Sequence, residues 1–180
     1  NYTIAVGTCA VSGGISGMEK NTVKAQGLQW NRDEFGGVLG EKYKSKSGFP
    51  VINIPGCPSH PDWMLETLYL IINNKLKIDD LDYANRPNLF FNNLAHHACP
   101  RNEYYEFKAS ATELAQQGCL FEFLGCRGTQ CESDCNLRLW MGRTGSCTRG
   151  GYPCIACTSQ SFPLENCNYF KTELIGNIPK

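Results

Sequence analysis

The chain has no excess of either charge. Its 17 lysines and arginines balance 17 aspartates and glutamates, so no basic stripe points to a nucleic-acid partner. Long hydrophobic runs are missing too. No segment reaches the ~18 apolar residues of a membrane span. The longest, Leu68-Tyr69-Leu70-Ile71-Ile72, reads as part of a short buried helix. Also absent are a serine–histidine–acid arrangement, a phosphate-binding glycine loop and carboxylates paired for acid–base work. Substrate chemistry is therefore expected elsewhere, and no residue is given a catalytic role. Finally, the chain opens at Asn1 with neither a methionine nor a signal peptide, and residues 2–6 already read as a core strand. The expectation is a fragment, a processed product or one half of a split subunit.

Against these absences stand eleven cysteines in 180 residues, eight of them between Cys119 and Cys167. Composition alone allows a disulfide scaffold or a metal protein. A hydrophobic fraction of 42% permits a core without disulfides, and an odd count leaves one thiol over. Spacing favours metal, and two groups suggest two iron–sulfur clusters. The first group is His96, Cys99, Cys119 and Cys126. A histidine three residues before a cysteine can aim both side chains at one metal from a single helical turn. Imidazole in place of thiolate makes the site less anionic and raises its potential. His97 competes for the role, but adjacent residues point apart and only His96 has the two-residue gap. The alternative is an exposed histidine pair. The second group is Cys135, Cys147, Cys154 and Cys157. The turn in Cys154-x-x-Cys157 aims both sulfurs inward. Zinc is the rival metal for four thiolates. Cys147 is either a ligand or a packed thiol, and Cys131 and Cys167 receive no role.

Residues 2–6 and 51–54 are apolar, branched and stop at glycine, as buried parallel strands do. Each delivers a cysteine just past its end, Cys9 and Cys57. Ligands bind at the carboxyl ends of strands in open α/β sheets, so these thiols can meet at one site. The alternative is two packed thiols. Pro61 and Asp62 suit a helix start, and Met64, Leu65, Leu68, Ile71 and Ile72 follow at helical spacing, expected in the core. Residues 13–48 read as a surface excursion. Beyond Cys99, regular periodicity is weak and glycines punctuate the chain, so a bound cluster would supply the missing constraint. Tyr104, Tyr105, Phe107, Arg138, Trp140 and Tyr152 either pack or cover a cluster and tune it.

Several of these motifs resemble one family. Gly7-Thr8-Cys9-Ala10 with Gly13-Gly14-Ile15, and Ile54-Pro55-Gly56-Cys57-Pro58 with Pro61-Asp62-Trp63, resemble the proximal-cluster motifs of nickel–iron hydrogenase small subunits. His96-His97-Ala98-Cys99, Gly118-Cys119 and Gly125-Cys126-Arg127-Gly128 resemble their distal site. Asp134-Cys135 and Pro153-Cys154-Ile155-Ala156-Cys157 resemble their medial site. The resemblance implies an α/β fold: the C-terminal part of a flavodoxin-like parallel-sheet domain, residues 1–88, then a loop-rich, partly helical iron–sulfur domain, residues 89–180.

It also implies a distal 4Fe–4S cluster on His96, Cys99, Cys119 and Cys126. The medial cluster would sit on Cys135, Cys154 and Cys157, as 3Fe–4S, or as 4Fe–4S with Cys147 where many relatives carry proline. Cys9 and Cys57 would give two proximal ligands. The family's N-terminal Cys-x-x-Cys region is absent, so a missing segment or second small-subunit chain must complete that cluster. Six residues separate Cys119 from Cys126 where many periplasmic members have five, which points to the uptake and sensory branch related to cyanobacterial hydrogenases. The implied role is electron transfer from hydrogen oxidation to a redox acceptor, beside a large subunit that holds nickel and iron, with His60 and Trp63 lining that interface. With no membrane helix before Lys180, a cytoplasmic or membrane-peripheral location is expected. The alternatives are a hydrogen-sensing subunit and a zinc-stabilised interaction module.

Overall fold

The computed structural model describes residues 1–18 and 23–163; Cys167 lies outside them. The described residues form two units, Asn1–Asn92 with Cys157–Pro163, and Asn93–Ala156. The boundary read from polarity falls after residue 88, and the return of 157–163 to the first unit has no sequence signal.

In chain order the first unit carries β1 (Ile4–Val6), α1 (Thr8–Ser12), a hairpin of β2 (Trp30–Asn31) and β3 (Glu34–Phe35), β4 (Ile52–Ile54), α2 (Pro61–Ile72) and α3 (Asn88–Phe91). β1 and β4 pair in parallel, Ile4 opposite Ile52 and Val6 opposite Ile54. The fold is mixed α/β with a parallel sheet. Every residue of β4 is buried, as a continuous apolar run predicts for a strand covered on both faces. Burying Ile52 and Ile54 stabilises the unit by about 1.5–3 kcal/mol each.

α2 starts where Pro61 and Asp62 predict. His60 caps it, its Nδ1 accepting from the Asp62 amide at 3.1 Å. The face that α2 buries differs from the expected one. Trp63 and Thr67 are buried, and Leu70 and Ile71 pack against Phe49, Ile52 and Leu76. Leu65 is 65% exposed and Ile72 76%, with Leu68 and Tyr69 exposed beside them. The helix carries two apolar stripes, and the covered one holds Trp63, whose ring packs edge-on to Phe91 of α3 at 5.0 Å, while Leu70 and Ile71 reach Ile52 of the sheet. His60 and Trp63 are themselves buried in this core, so the expectation that they line a partner interface is corrected.

Residues 13–48 are not a mere excursion. Gln29 is buried, accepting from the Val51 amide at 2.9 Å and donating to the carbonyls of Glu41 and Tyr43 at 3.0 and 3.1 Å. It thereby satisfies backbone groups that the short hairpin leaves open. The returning segment is held the same way. Arg86, buried and paired with Asp82 at 2.7 Å, donates to the Thr158 carbonyl at 3.1 Å, and Gln160 donates to the Arg32 carbonyl at 3.1 Å.

The second unit has little regular structure: α4 (Asn102–Glu106), α5 (Cys135–Arg138) and a turn of 3-10 helix at Gly128–Gln130. Isolated bridges replace a sheet, among them Leu94 with Glu132 and Ser110 with Cys119. Its apolar cluster is small: Ala95, Cys131, Cys154 and Ala156, with Cys126 and Cys135 against it. A unit whose buried cluster is built of small residues and thiols is one that bound metal can complete.

Candidate metal centres

Cys9 lies in the first turn of α1 and Cys57 just past β4. A reciprocal pair joins the two strand ends: the Thr8 amide donates to the Gly56 carbonyl at 3.1 Å, and the Gly56 amide to Thr8 Oγ1 at 2.8 Å. Both cysteines are exposed, which removes the packed-thiol alternative. Desolvation first, and then the charge of Cys9, push the Cys57 thiol up, so the two sulfurs share one locality. Thr8 Oγ1 also donates to the Cys157 carbonyl at 2.6 Å, which places Cys157 beside this loop within the first unit.

His96, Cys99, Cys119 and Cys126 line one cavity in the second unit, with Arg101, Gly128, Asn136 and Thr148. Each ligand candidate is positioned by backbone. The His96 amide donates to the Gly128 carbonyl at 3.0 Å, and the Cys99 amide returns to the His96 carbonyl at 3.0 Å, forming the expected turn. Cys119 is clamped on both sides, its amide donating to Ala109 and its carbonyl accepting from Ala111, each at 2.8 Å. The Cys126 amide closes back on the Leu120 carbonyl at 3.0 Å, so the six-residue spacing forms a tight loop. Backbone N–H groups reach two sulfurs: Arg101 to Cys99 Sγ at 3.4 Å and Cys154 to Cys126 Sγ at 3.3 Å.

The His96 ring packs edge-on to Tyr105 at 4.7 Å, and Tyr105 to Phe121 at 5.6 Å. Burial first, then the neighbouring His97, hold His96 below the usual imidazole range, with Glu106 opposing. A neutral ring keeps the lone pair that a metal needs. His97 is exposed and does not line the cavity. Burial raises the Cys126 thiol, opposed by the amides of Gly128 and Cys154 and reinforced by the charges of Cys99 and Cys119. Of the aromatic residues expected as cover, Tyr105 fits; Phe107 and Tyr152 face solvent. Arg138 instead pairs with Asp134 at 2.9 Å.

A second thiol group adjoins. Cys135 opens α5, and burial above all, with Cys131 and Cys147 nearby, pushes its thiol up to about 12 against a Ser133 hydrogen bond. Cys147 is exposed as a residue, yet desolvation of its sulfur and the charge of Cys131 raise it. A hydrogen bond with Cys131 that favours the protonated thiol, and then burial, raise Cys154. Cys131, given no role from sequence, is thus the thiol in common to Cys135, Cys147 and Cys154. Its place in the apolar cluster follows from its carbonyl accepting the Ala95 amide at 2.7 Å, a long-range bond that spacing does not reveal. Arg101, Asn136 and Thr148 also escape sequence reasoning, although each follows a motif cysteine within two residues.

Residues 91–170 match the family model for the C-terminal region of the NiFe/NiFeSe hydrogenase small subunit, and residues 1–71 match that of the NADH ubiquinone oxidoreductase 20 Kd subunit. The F420 non-reducing hydrogenase I small subunit of Methanosarcina mazei is 42% identical over 175 residues, covering 91% of this chain and 44% of its own. The chain belongs to the nickel–iron hydrogenase small subunits. The periplasmic NiFeSe hydrogenase small subunit of Desulfomicrobium baculatum is 35% identical, covering 89% of this chain and 49% of its own. The actinobacterial-type NiFe-hydrogenase structure from Ralstonia eutropha H16 superposes with a TM-score of 0.79 at 34% identity, over 90% of this chain and 46% of that one. The chain thus spans about half the length of these small subunits. Among the described residues, none of the helices is long and apolar enough to cross a membrane.

The distal donor set fits a cluster of this family, whereas Cys157 falls in the first unit and Cys135 and Cys154 in the second. Three thiols and a neutral imidazole face one cavity, and N–H groups reach their sulfurs. Among the described residues, no three such side chains converge closely enough to hold a single ion. A cluster asks less, because its ligands bind different irons.

Proposed function

We propose that this chain relays electrons released by hydrogen oxidation in a separate large subunit, holding nickel and iron, to a redox acceptor. The observation that carries the reading is the single cavity shared by His96, Cys99, Cys119 and Cys126. These residues would hold a distal 4Fe–4S cluster. Cys135, Cys154 and Cys157 would hold the medial cluster, as 4Fe–4S where Cys147 is a fourth ligand and as 3Fe–4S where it is a packed thiol. Cys9 and Cys57 would hold one side of the proximal cluster, whose other ligands come from a segment or chain beyond this one. Bound there, the clusters supply one-electron chemistry at potentials set by ligand type, hydrogen bonds and local charge. The protein's part is geometric and electrostatic: neutral His96 in place of a thiolate, N–H groups on Cys99 and Cys126, and the Tyr105 ring edge-on to the imidazole with Phe121 packed against Tyr105. The flavodoxin-like topology of the first unit, membership of the uptake and sensory branch, and a cytoplasmic or membrane-peripheral location belong to the same proposal.

The test is anaerobic co-purification of the tagged chain, with metal and sulfide analysis and a visible spectrum. Iron, labile sulfide, broad visible absorption and a nickel-bearing companion are expected. A colourless preparation containing zinc would overturn the reading, since zinc has a filled d shell. A signalling partner without hydrogen-oxidising turnover would favour the sensory role.

A further inference from the structure

A chain of hydrogen bonds runs through the second unit, and each residue in it flanks a proposed cluster ligand. Arg101, two residues past Cys99, donates from Nε to the Thr148 carbonyl at 2.8 Å. One terminal nitrogen of the same guanidinium donates to the carbonyls of Gln116 and Gly118 at 2.7 and 2.6 Å, just before Cys119. Thr148, the residue after Cys147, donates through Oγ1 to Asn136 Oδ1 at 3.0 Å. Asn136, the residue after Cys135, donates through Nδ2 to the Ala95 carbonyl at 2.7 Å. Ala95 precedes His96.

This chain is not surface decoration. Asn136 is 6% exposed and Thr148 2%, and both line the cavity with Arg101 and the four ligand candidates. Buried polar side chains with partners on both sides hold one geometry, because any displacement leaves a desolvated donor or acceptor unpaired. Arg101 is the end of the chain with electrostatic reach. Its guanidinium carries a permanent charge, and its backbone amide donates to Cys99 Sγ at 3.4 Å. Positive charge and N–H groups near a cluster favour its reduced state.

We propose that the Arg101–Thr148–Asn136–Ala95 chain is a positioning device joining the two cluster sites, so that the distal potential depends on residues flanking the medial ligands. Thr148 and Asn136 hold the carbonyl that seats Arg101, and Arg101 sets the field at the distal site. The inference rests on the ligand assignment under Proposed function. For an electron relay the consequence is direct: the difference between adjacent potentials decides which way electrons settle, and one shared network fixes both sides of that difference.

The experiment is a redox titration of the anaerobically purified complex, followed by electron paramagnetic resonance of each cluster. Thr148→Val removes the Oγ1 donor while keeping shape, and Thr148→Ser restores it. Arg101→Gln removes the charge, and Arg101→Lys keeps it. In T148V the distal midpoint is expected to fall by about a threefold to tenfold change in the oxidised-to-reduced ratio, tenfold being ~59 mV for one electron. T148S should match the wild type, R101Q should fall further than T148V, and R101K should fall least of the Arg101 and Val variants. An unmoved distal midpoint in a T148V complex loaded with both clusters overturns the proposal, and the T148V and T148S pair decides the matter if R101Q does not assemble. Absence of a nitrogen-ligated cluster from the unmutated complex overturns the functional reading instead, so the two failures are distinct.

Discussion

Gly118→Ala tests how the distal site is built. Gly118 has φ +128°, a conformation that L side chains rarely adopt. A Cβ there would lie 2.8 Å from the Ala111 amide nitrogen and 3.0 Å from the Ala109 carbonyl oxygen. Neither atom is free to retreat, because the Ala111 amide is bonded to the Cys119 carbonyl and the Ala109 carbonyl to the Cys119 amide, each at 2.8 Å. Backbone strain costs about 1–3 kcal/mol, and forced overpacking about 1–3 kcal/mol more. Gly125→Ala is the matched control, with φ +68° but nothing within 4 Å of an added Cβ, so it should show strain alone. Because φ +68° lies in the left-handed well that L residues can enter and φ +128° lies outside it, the expected difference between the two variants is at least about 1–3 kcal/mol. Denaturant unfolding of the assembled protein measures it, and iron content at the distal site reports displacement of Cys119. Equal stability and equal iron in the two variants would refute the steric reasoning.

Three further outcomes follow from the site. His96→Ala should weaken retention of the distal cluster by more than about 100-fold, exceeding the roughly 10–100-fold loss usual for outer-sphere changes. His97→Ala should leave it unchanged because His97 faces solvent; equal losses would reassign the ligand. Cys147→Pro should convert medial-cluster resonance from four-iron to three-iron behaviour, and an unaltered spectrum would make Cys147 a packed thiol. In the metal-free protein, Cys135 ionises near pH 9 when unfolded and at about 12 when folded. The unfolded state therefore loses its proton first, and stability present below pH 9 is lost as pH rises toward 12. At ~1.36 kcal/mol per unit this amounts to about 4 kcal/mol. Unfolding curves on either side of that window measure it, and Cys135→Ala should flatten the loss.

The short-range features were legible. Both parallel strands, the start of α2, and the turn joining His96 to Cys99 follow from runs and spacings of a few residues. Such features depend on local backbone geometry, which a sequence states directly. The apolar stripe on α2 was legible as a stripe but not as a choice. Met64, Leu65, Leu68, Ile71 and Ile72 satisfy helical periodicity as well as Trp63, Thr67, Leu70 and Ile71 do. Periodicity says that a face exists; only the aromatic partners Phe90 and Phe91, far along the chain, decide which face is covered.

Residue types and spacings alone determined that the chain carries grouped thiols with one imidazole, two strand-end cysteines, balanced charge and no apolar run long enough for a membrane span. Tertiary structure alone decided that Gln29 is a buried junction, that Cys131 belongs with Cys135, Cys147 and Cys154, and that Arg101, Thr148 and Asn136 form one network. These residues act through hydrogen bonds spanning from about a dozen to nearly fifty positions. A polar side chain's partner is chosen by which backbone groups the fold leaves unpaired nearby, and that is known only once the chain has folded.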